Sequence, residues 1–144
     1  MILIVLFSLI FLLTPVAQAI NILHGETAPD FTLSSIDGKA VSLNQYNGSI
    51  AILIYWRAYQ DRSLMAIADV QDLFDRYNKK GVQVIGLIAN IENKDTLINI
   101  IKKYGIEFPL LLDTDRQVFG DYGIKVYPST VILDRDLRLV YDLP

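Results

Sequence analysis

The side chains that most often carry chemistry are nearly absent from this sequence. Its 144 residues contain no cysteine and one histidine, His24. Without a thiol the chain has no disulfide, thiolate zinc site, iron–sulfur cluster, covalent haem link or thiol nucleophile of its own. One imidazole does not make a multi-histidine metal cage, and zinc usually asks for three or four ligands. His24 lies in a predicted loop before Ala28-Pro29 and reads as a surface or hydrogen-bonded residue. Ser63 falls at the start of a predicted helix, but a serine nucleophile needs a base within hydrogen-bond reach, and none is near in sequence. It reads as an exposed polar residue of the first turn, and Asp61 as the group that caps that helix. Asp113, Asp115, Asp134 and Asp136 stand in D-x-D pairs without the spacing or glycine of a calcium loop, so turns are their expected place. The expectation is no cofactor and no metal. With 13 basic and 16 acidic residues and a net charge of −3, the chain has no basic field for nucleic acid.

The elements that position these residues follow from apolar periodicity. Phe31–Ile36 and Lys39–Leu43 flank Asp37-Gly38, a hairpin signal in which both turn positions favour positive φ. Residues 49–56, SIAILIYW, form a nearly continuous apolar run rich in β-branched and aromatic residues, suited to a strand buried on both faces. Over 62–80, Leu64, Ile67, Val70, Leu73, Phe74 and Tyr77 recur at helical spacing. The acid-first pairs Asp72–Arg76 and Asp75–Lys79 support that helix, and Gly81 ends it. A second apolar run, Val82–Ala89, completes a β-α-β unit. A helix from Lys94 to Tyr104 stops at Gly105. Phe108–Leu112 contains Pro109, which places it toward a sheet edge. A short helix over Asp115–Tyr122 and a hairpin of Thr130–Leu133 with Arg138–Tyr141 follow. The fold class is α/β with a mixed sheet and flanking helices.

Residues 1–13, MILIVLFSLIFLL, are apolar except for Ser8, and Thr14-Pro15 and Ala17-Gln18-Ala19 follow. A short apolar block, a proline break and an A-x-A triplet predict a secretory signal peptide, 1–19, ahead of one domain, 20–144. The block is shorter than the about 20 apolar residues of a membrane span. The expected location of the protein is therefore extracytoplasmic, secreted or periplasmic, with membrane contact only through an uncleaved signal.

Six segments in order, GETAPDFTL (25–33), IDGKAVSL, the strand ending at Tyr55-Trp56, KKGVQVIGLIA, KKYGIEFPLLLDTDRQV and YGIKVYPSTVILDRD, carry a family resemblance. Over about residues 25–142 the chain resembles the thioredoxin-fold redoxin family, the TlpA/ResA-type thiol-disulfide oxidoreductases and their AhpC/TSA peroxiredoxin relatives. The resemblance implies a thioredoxin-like mixed sheet with an N-terminal hairpin and a cis peptide bond before Pro128. It also implies a C-terminal helix over one sheet face, which this chain lacks after Tyr141, so the expected domain is cut short at its C-terminus.

The family's motif is roughly F-W-A-x-W-C-x-x-C-x-x-E. Here Gln60 stands at the nucleophilic cysteine, Ser63 at the resolving cysteine and Ala66 at the proton-handling glutamate. A carboxamide cannot form an S–S bond, and an unactivated hydroxyl cannot attack or leave as sulfur does. No catalytic residue is therefore expected. Trp56, Tyr59, Tyr127 and Pro128 fall where the family's active site lies. Trp56 reads as core, and Tyr59 and Tyr127 as partly exposed. The backbone before the cis-proline is a place where an extended peptide or protein segment can pair without any thiol. The expected function is a secreted, redox-inactive binding or scaffold module. The alternative is an oxidoreductase by descent that works with a partner's thiols. In the hairpin near the C-terminus, Leu137 stands where the family has a positive-φ glycine.

Overall fold

The computed structural model describes residues 22–89, 91 and 93–143. The apolar segment 1–19, read above as a signal peptide, lies outside them. Among the described residues no helix is long and apolar enough to cross a membrane.

Strands β1 (Thr32–Ser35) and β2 (Ala40–Ser42) form the first hairpin, followed by β3 (Ile50–Tyr55) and α1 (Asp61–Tyr77). Then come β4 (Val82–Ile88), α2 (Lys94–Tyr104), β5 (Leu110–Leu112), α3 (Gln117–Asp121), β6 (Ser129–Leu133) and β7 (Leu139–Leu143). The strands make one mixed sheet in the order β2-β1-β5-β4-β3-β6-β7. β3, β4 and β5 are parallel, and β6 runs antiparallel to β3.

Strand alternation divides the core into two layers. Ala51, Leu53 and Tyr55 point to the face packed by Phe31, Val118 and Tyr122. Ile52, Ile54 and Trp56 point to the opposite face, where α1 and α2 bring Ile67, Leu97 and Ile100. Because both faces are covered, the central strands read as unbroken apolar runs. Gly86 is needed on the α1 side: a Cβ there would sit 2.4 Å from Leu110 Cδ2 and 3.2 Å from Trp56 Nε1.

The helices end as their sequences predict, α2 at Gly105 in the left-handed conformation (φ 61°), and α1 through a 3-10 turn into Gly81 (φ 85°). Asn93 caps α2 by accepting the Thr96 N–H.

Several expectations change. β5 is an interior strand between β1 and β4, because Pro109 precedes its paired residues and contributes only a carbonyl, which accepts from Gly86 N–H. In the first hairpin only Gly38 has positive φ (84°). Lys79 lies in the 3-10 turn, and Asp75 accepts from Gln71 Nε2 instead of pairing with it. Tyr77 is exposed, with Lys80 Nζ over its ring. Leu137 adopts φ 56°, a strained conformation offset by burial of its side chain to 3% exposure in the layer of Leu133 and Leu139. β7 forms one sheet edge, with Val140, Tyr141 and Leu143 exposed.

Candidate functional site

β3 ends at Tyr55, and the chain passes through Trp56, Arg57, Ala58 and Tyr59 into the N-terminus of α1. The N-cap of α1 is Gln60, in extended conformation and without a side-chain cap bond. Asp61 is the first helical residue and not the cap; its charge favours the positive end of the helix from one position further in.

Ser63 is fully buried, not exposed. Its hydroxyl accepts the Arg57 N–H at 3.2 Å and donates to Gln60 Oε1 at 3.1 Å. A buried hydroxyl must find partners, and these two bonds stitch the loop to the first turn of the helix. Gln60 and Ser63 thus complete one another and leave no activated oxygen. His24, the one imidazole, is exposed and pairs with Asp142 at 2.9 Å, and among the described residues the Ser63 hydroxyl bonds only to Arg57 N–H and Gln60 Oε1. Ala66 offers only a methyl group.

The opposite wall is the loop before β6. The Tyr127–Pro128 peptide bond is cis. In register, Ser129 lies beside Tyr55, which brings this loop against the start of the 56–60 segment. The two loops touch through Arg57, whose guanidinium carbon lies 4.2 Å from the Tyr127 ring centre and 5.8 Å from that of Tyr59. Tyr127 also stacks on Phe119, centres 5.4 Å apart, and Arg116 lies over Phe119. Tyr59 is 57% exposed and Tyr127 half-buried. Trp56 is fully buried and supports the site from beneath without lining it. Among the described residues no hydrogen bond reaches the N–H or C=O of Tyr127, so an edge of backbone beside Pro128 is free to pair.

Behind this wall Tyr55, Tyr122 and Asp113 form a buried polar layer. Burial raises the phenols of Tyr55 and Tyr122 above the ordinary range; Tyr122 donates to the Pro29 carbonyl at 2.7 Å, while the Tyr55 hydroxyl has no partner among the described residues. The Tyr127 hydroxyl is likewise buried without one. Burial also raises the Asp113 carboxyl, against the opposing effect of the Phe119 and Val118 N–H groups that it accepts. Asp113 therefore anchors the start of α3. Asp115 accepts from Gln117 N–H, and Asp134 from the N–H groups of Asp136 and Arg138, in turns as expected. Among the described residues no three acidic or histidine side chains converge.

Of the residues that the sequence points to, Gln60 and Ser63 are joined by a hydrogen bond, Tyr59 and Tyr127 both lie against Arg57, and Trp56 is buried. The sequence reading does not single out Arg57. The signal was present as an arginine directly after an apolar strand, where the motif has alanine.

The model of the AhpC/TSA family matches residues 24–142. The chain is similar to the thiol-disulfide oxidoreductase ResA of Bacillus thuringiensis (strain Al Hakam), 28% identical over 116 residues, 81% of this chain and 66% of that protein. It is also 28% identical to ResA of Bacillus subtilis (strain 168), over 83% of this chain and 66% of that one. The chain thus spans just under two thirds of the length of these relatives. Among solved structures, the thioredoxin domain of a thiol-disulfide oxidoreductase from Bacteroides vulgatus superposes with a TM-score of 0.74 at 19% identity, covering 85% of this chain and 89% of that one. A thioredoxin-family thiol:disulfide interchange protein from Chlorobium tepidum TLS gives 0.74 at 21%, covering 84% and 86%. At such identities the likeness is one of fold. The family match spans all seven strands to within a residue of the end of β7, and on it the chain belongs to the AhpC/TSA family, as a thioredoxin-fold redoxin of the ResA/TlpA type that has no cysteine.

Proposed function

We propose that this chain is an extracytoplasmic binding module that performs no thiol–disulfide chemistry by itself, and that it holds an extended peptide segment along the backbone edge beside Pro128. The observation that carries the reading is the hydrogen bond between Ser63 and Gln60 at the two positions where the resembled motif has cysteines. The loop after β3, the α1 N-terminus and the cis-proline loop meet as a site, while the two positions that would exchange electrons hold a carboxamide and a hydroxyl bonded to one another. Disulfide exchange proceeds through a mixed disulfide, which neither group forms. Strand pairing needs only free main-chain donors and acceptors, which Tyr127 has. The sequence pattern of residues 1–19 supports export.

Insulin reduction with dithiothreitol, and hydrogen peroxide consumption with the same reductant, test the chemical half of the reading. Purified chain is expected to leave both rates at the value for reductant alone. A turnover that scales with protein concentration would refute it. Recovery of turnover only on mixing with a cysteine-bearing partner would favour the oxidoreductase alternative. The mass of the exported protein checks the location, with Ile20 as the expected first residue.

A further inference from the structure

Arg57 stands out at the site because no acidic side chain among the described residues answers its charge. It is half-buried, yet the ion pairs among the described residues are His24–Asp142, Lys39–Asp37 and Arg76–Asp72. No side-chain hydrogen bond leaves its guanidinium among those residues; only its backbone N–H is engaged, by Ser63. Asp61, the acidic residue of the adjoining helical turn, is exposed and makes no ion pair with it, and Arg62 beside it adds charge of the same sign. An arginine fork binds carboxylates through two parallel N–H···O bonds.

The surroundings show what is missing. The guanidinium lies over the rings of Tyr127 and Tyr59 in cation–π contact, an interaction that uses none of its N–H donors in a hydrogen bond. A planar, doubly accepting anion fits such a fork, and a carboxylate is the form a peptide supplies. Tyr59 also borders a cavity of about 130 Å³, whose apolar lining includes Ala58, Ile88, Ile91 and Leu97. A cationic seat and an apolar one therefore share the Tyr59 ring, beside the free backbone edge of Tyr127.

We infer that the occupant of this groove is an extended peptide segment bearing a carboxylate side chain, with an apolar side chain close by in sequence: Arg57 reads the carboxylate and the cavity beside Tyr59 takes the apolar group. This rests on the peptide-groove reading above and adds its specificity. Arg57 is a ligand-selecting residue, and Tyr59 and Tyr127 position it.

The test uses three libraries of labelled, acetylated and amidated heptapeptides that differ only in a central Glu, Gln or Lys. Binding to the purified chain is read by fluorescence anisotropy. The Glu library is expected to bind about tenfold tighter than the Gln library, since a charge-assisted hydrogen bond is the difference, and tighter still than the Lys library. The gap is expected to shrink between about 50 and about 500 mM salt. It is expected to close in Arg57→Gln, with cooperative thermal unfolding as the check on folding. Arg57→Met, which keeps an unbranched stem against the rings, makes the same comparison if the glutamine variant does not fold. Equal binding of all three libraries, or a gap that survives loss of the arginine, overturns the carboxylate inference and leaves the groove standing. Failure of the wild-type chain to bind any library overturns both.

Discussion

Tyr55→Phe is expected to stabilise the protein. The Tyr55 side chain is 2% exposed, its ring packs against Tyr122 at 6.3 Å, and its hydroxyl has no hydrogen-bond partner among the described residues. Phenylalanine keeps the ring contacts and removes the oxygen. An unpartnered buried hydroxyl costs about 1–3 kcal/mol. The void left by one oxygen forfeits a few contacts worth about 0.1–0.2 kcal/mol each, so the net gain is about 1–2 kcal/mol. For a domain of this size each kcal/mol raises Tm by about 4 °C. Thermal unfolding by circular dichroism and urea titration at pH 7 both read the change, with the urea slope unaltered. An alkaline series gives a second reading. Burial raises the Tyr55 phenol in the folded state, so above the unfolded value of about 10 the unfolded chain releases a proton that the folded chain keeps. The stability linked to this group is full below that pH and is lost as pH rises beyond it. Tyr55→Phe should therefore lose stability less steeply above pH 10, by up to about 1.4 kcal/mol per unit. An unchanged or lower Tm at pH 7 would refute the assignment of an unsatisfied hydroxyl, as would identical alkaline slopes in the two proteins.

Two further substitutions probe the frame. Gly86→Ala places a methyl 2.4 Å from Leu110 Cδ2 and 3.1 Å from Phe108 Cε2, and should destabilise by about 1–3 kcal/mol through overpacking, read as a fall in the urea midpoint. The Gln60→Cys, Ser63→Cys double variant should form a disulfide that dithiothreitol reduces, and the resulting dithiol should reduce insulin while reforming that disulfide. Its residue-60 thiol should titrate below the ordinary value of about 8.5, because it sits at the uncapped N-terminus of α1; thiolate absorbance checks this, and a thiol titrating at or above that value would show that the frame no longer supports the chemistry.

The sequence by itself determined the elements whose signals are local. The apolar run of β3, the glycine stops at Gly81 and Gly105, and the Asp37-Gly38 turn depend on backbone conformation and alternation within a few residues, and each lies where the pattern places it. The emptied motif was equally legible, since side-chain chemistry at Gln60, Ser63 and Ala66 is a property of residue type. Tertiary structure decided the rest. Ser63 is polar and begins a helix, which reads as surface, but packing of α1 on the sheet buries it and gives its hydroxyl two local partners. Pro109 weakens a strand signal, yet β5 is interior because pairing begins one residue later. Leu137 takes a glycine's conformation because its burial in the core layer offsets the strain. Arg57 became visible only when Tyr127, seventy positions further along the chain, was brought over it. Local conformational preference is written residue by residue, whereas burial and the pairing of distant charges and rings exist only after the sheet has closed.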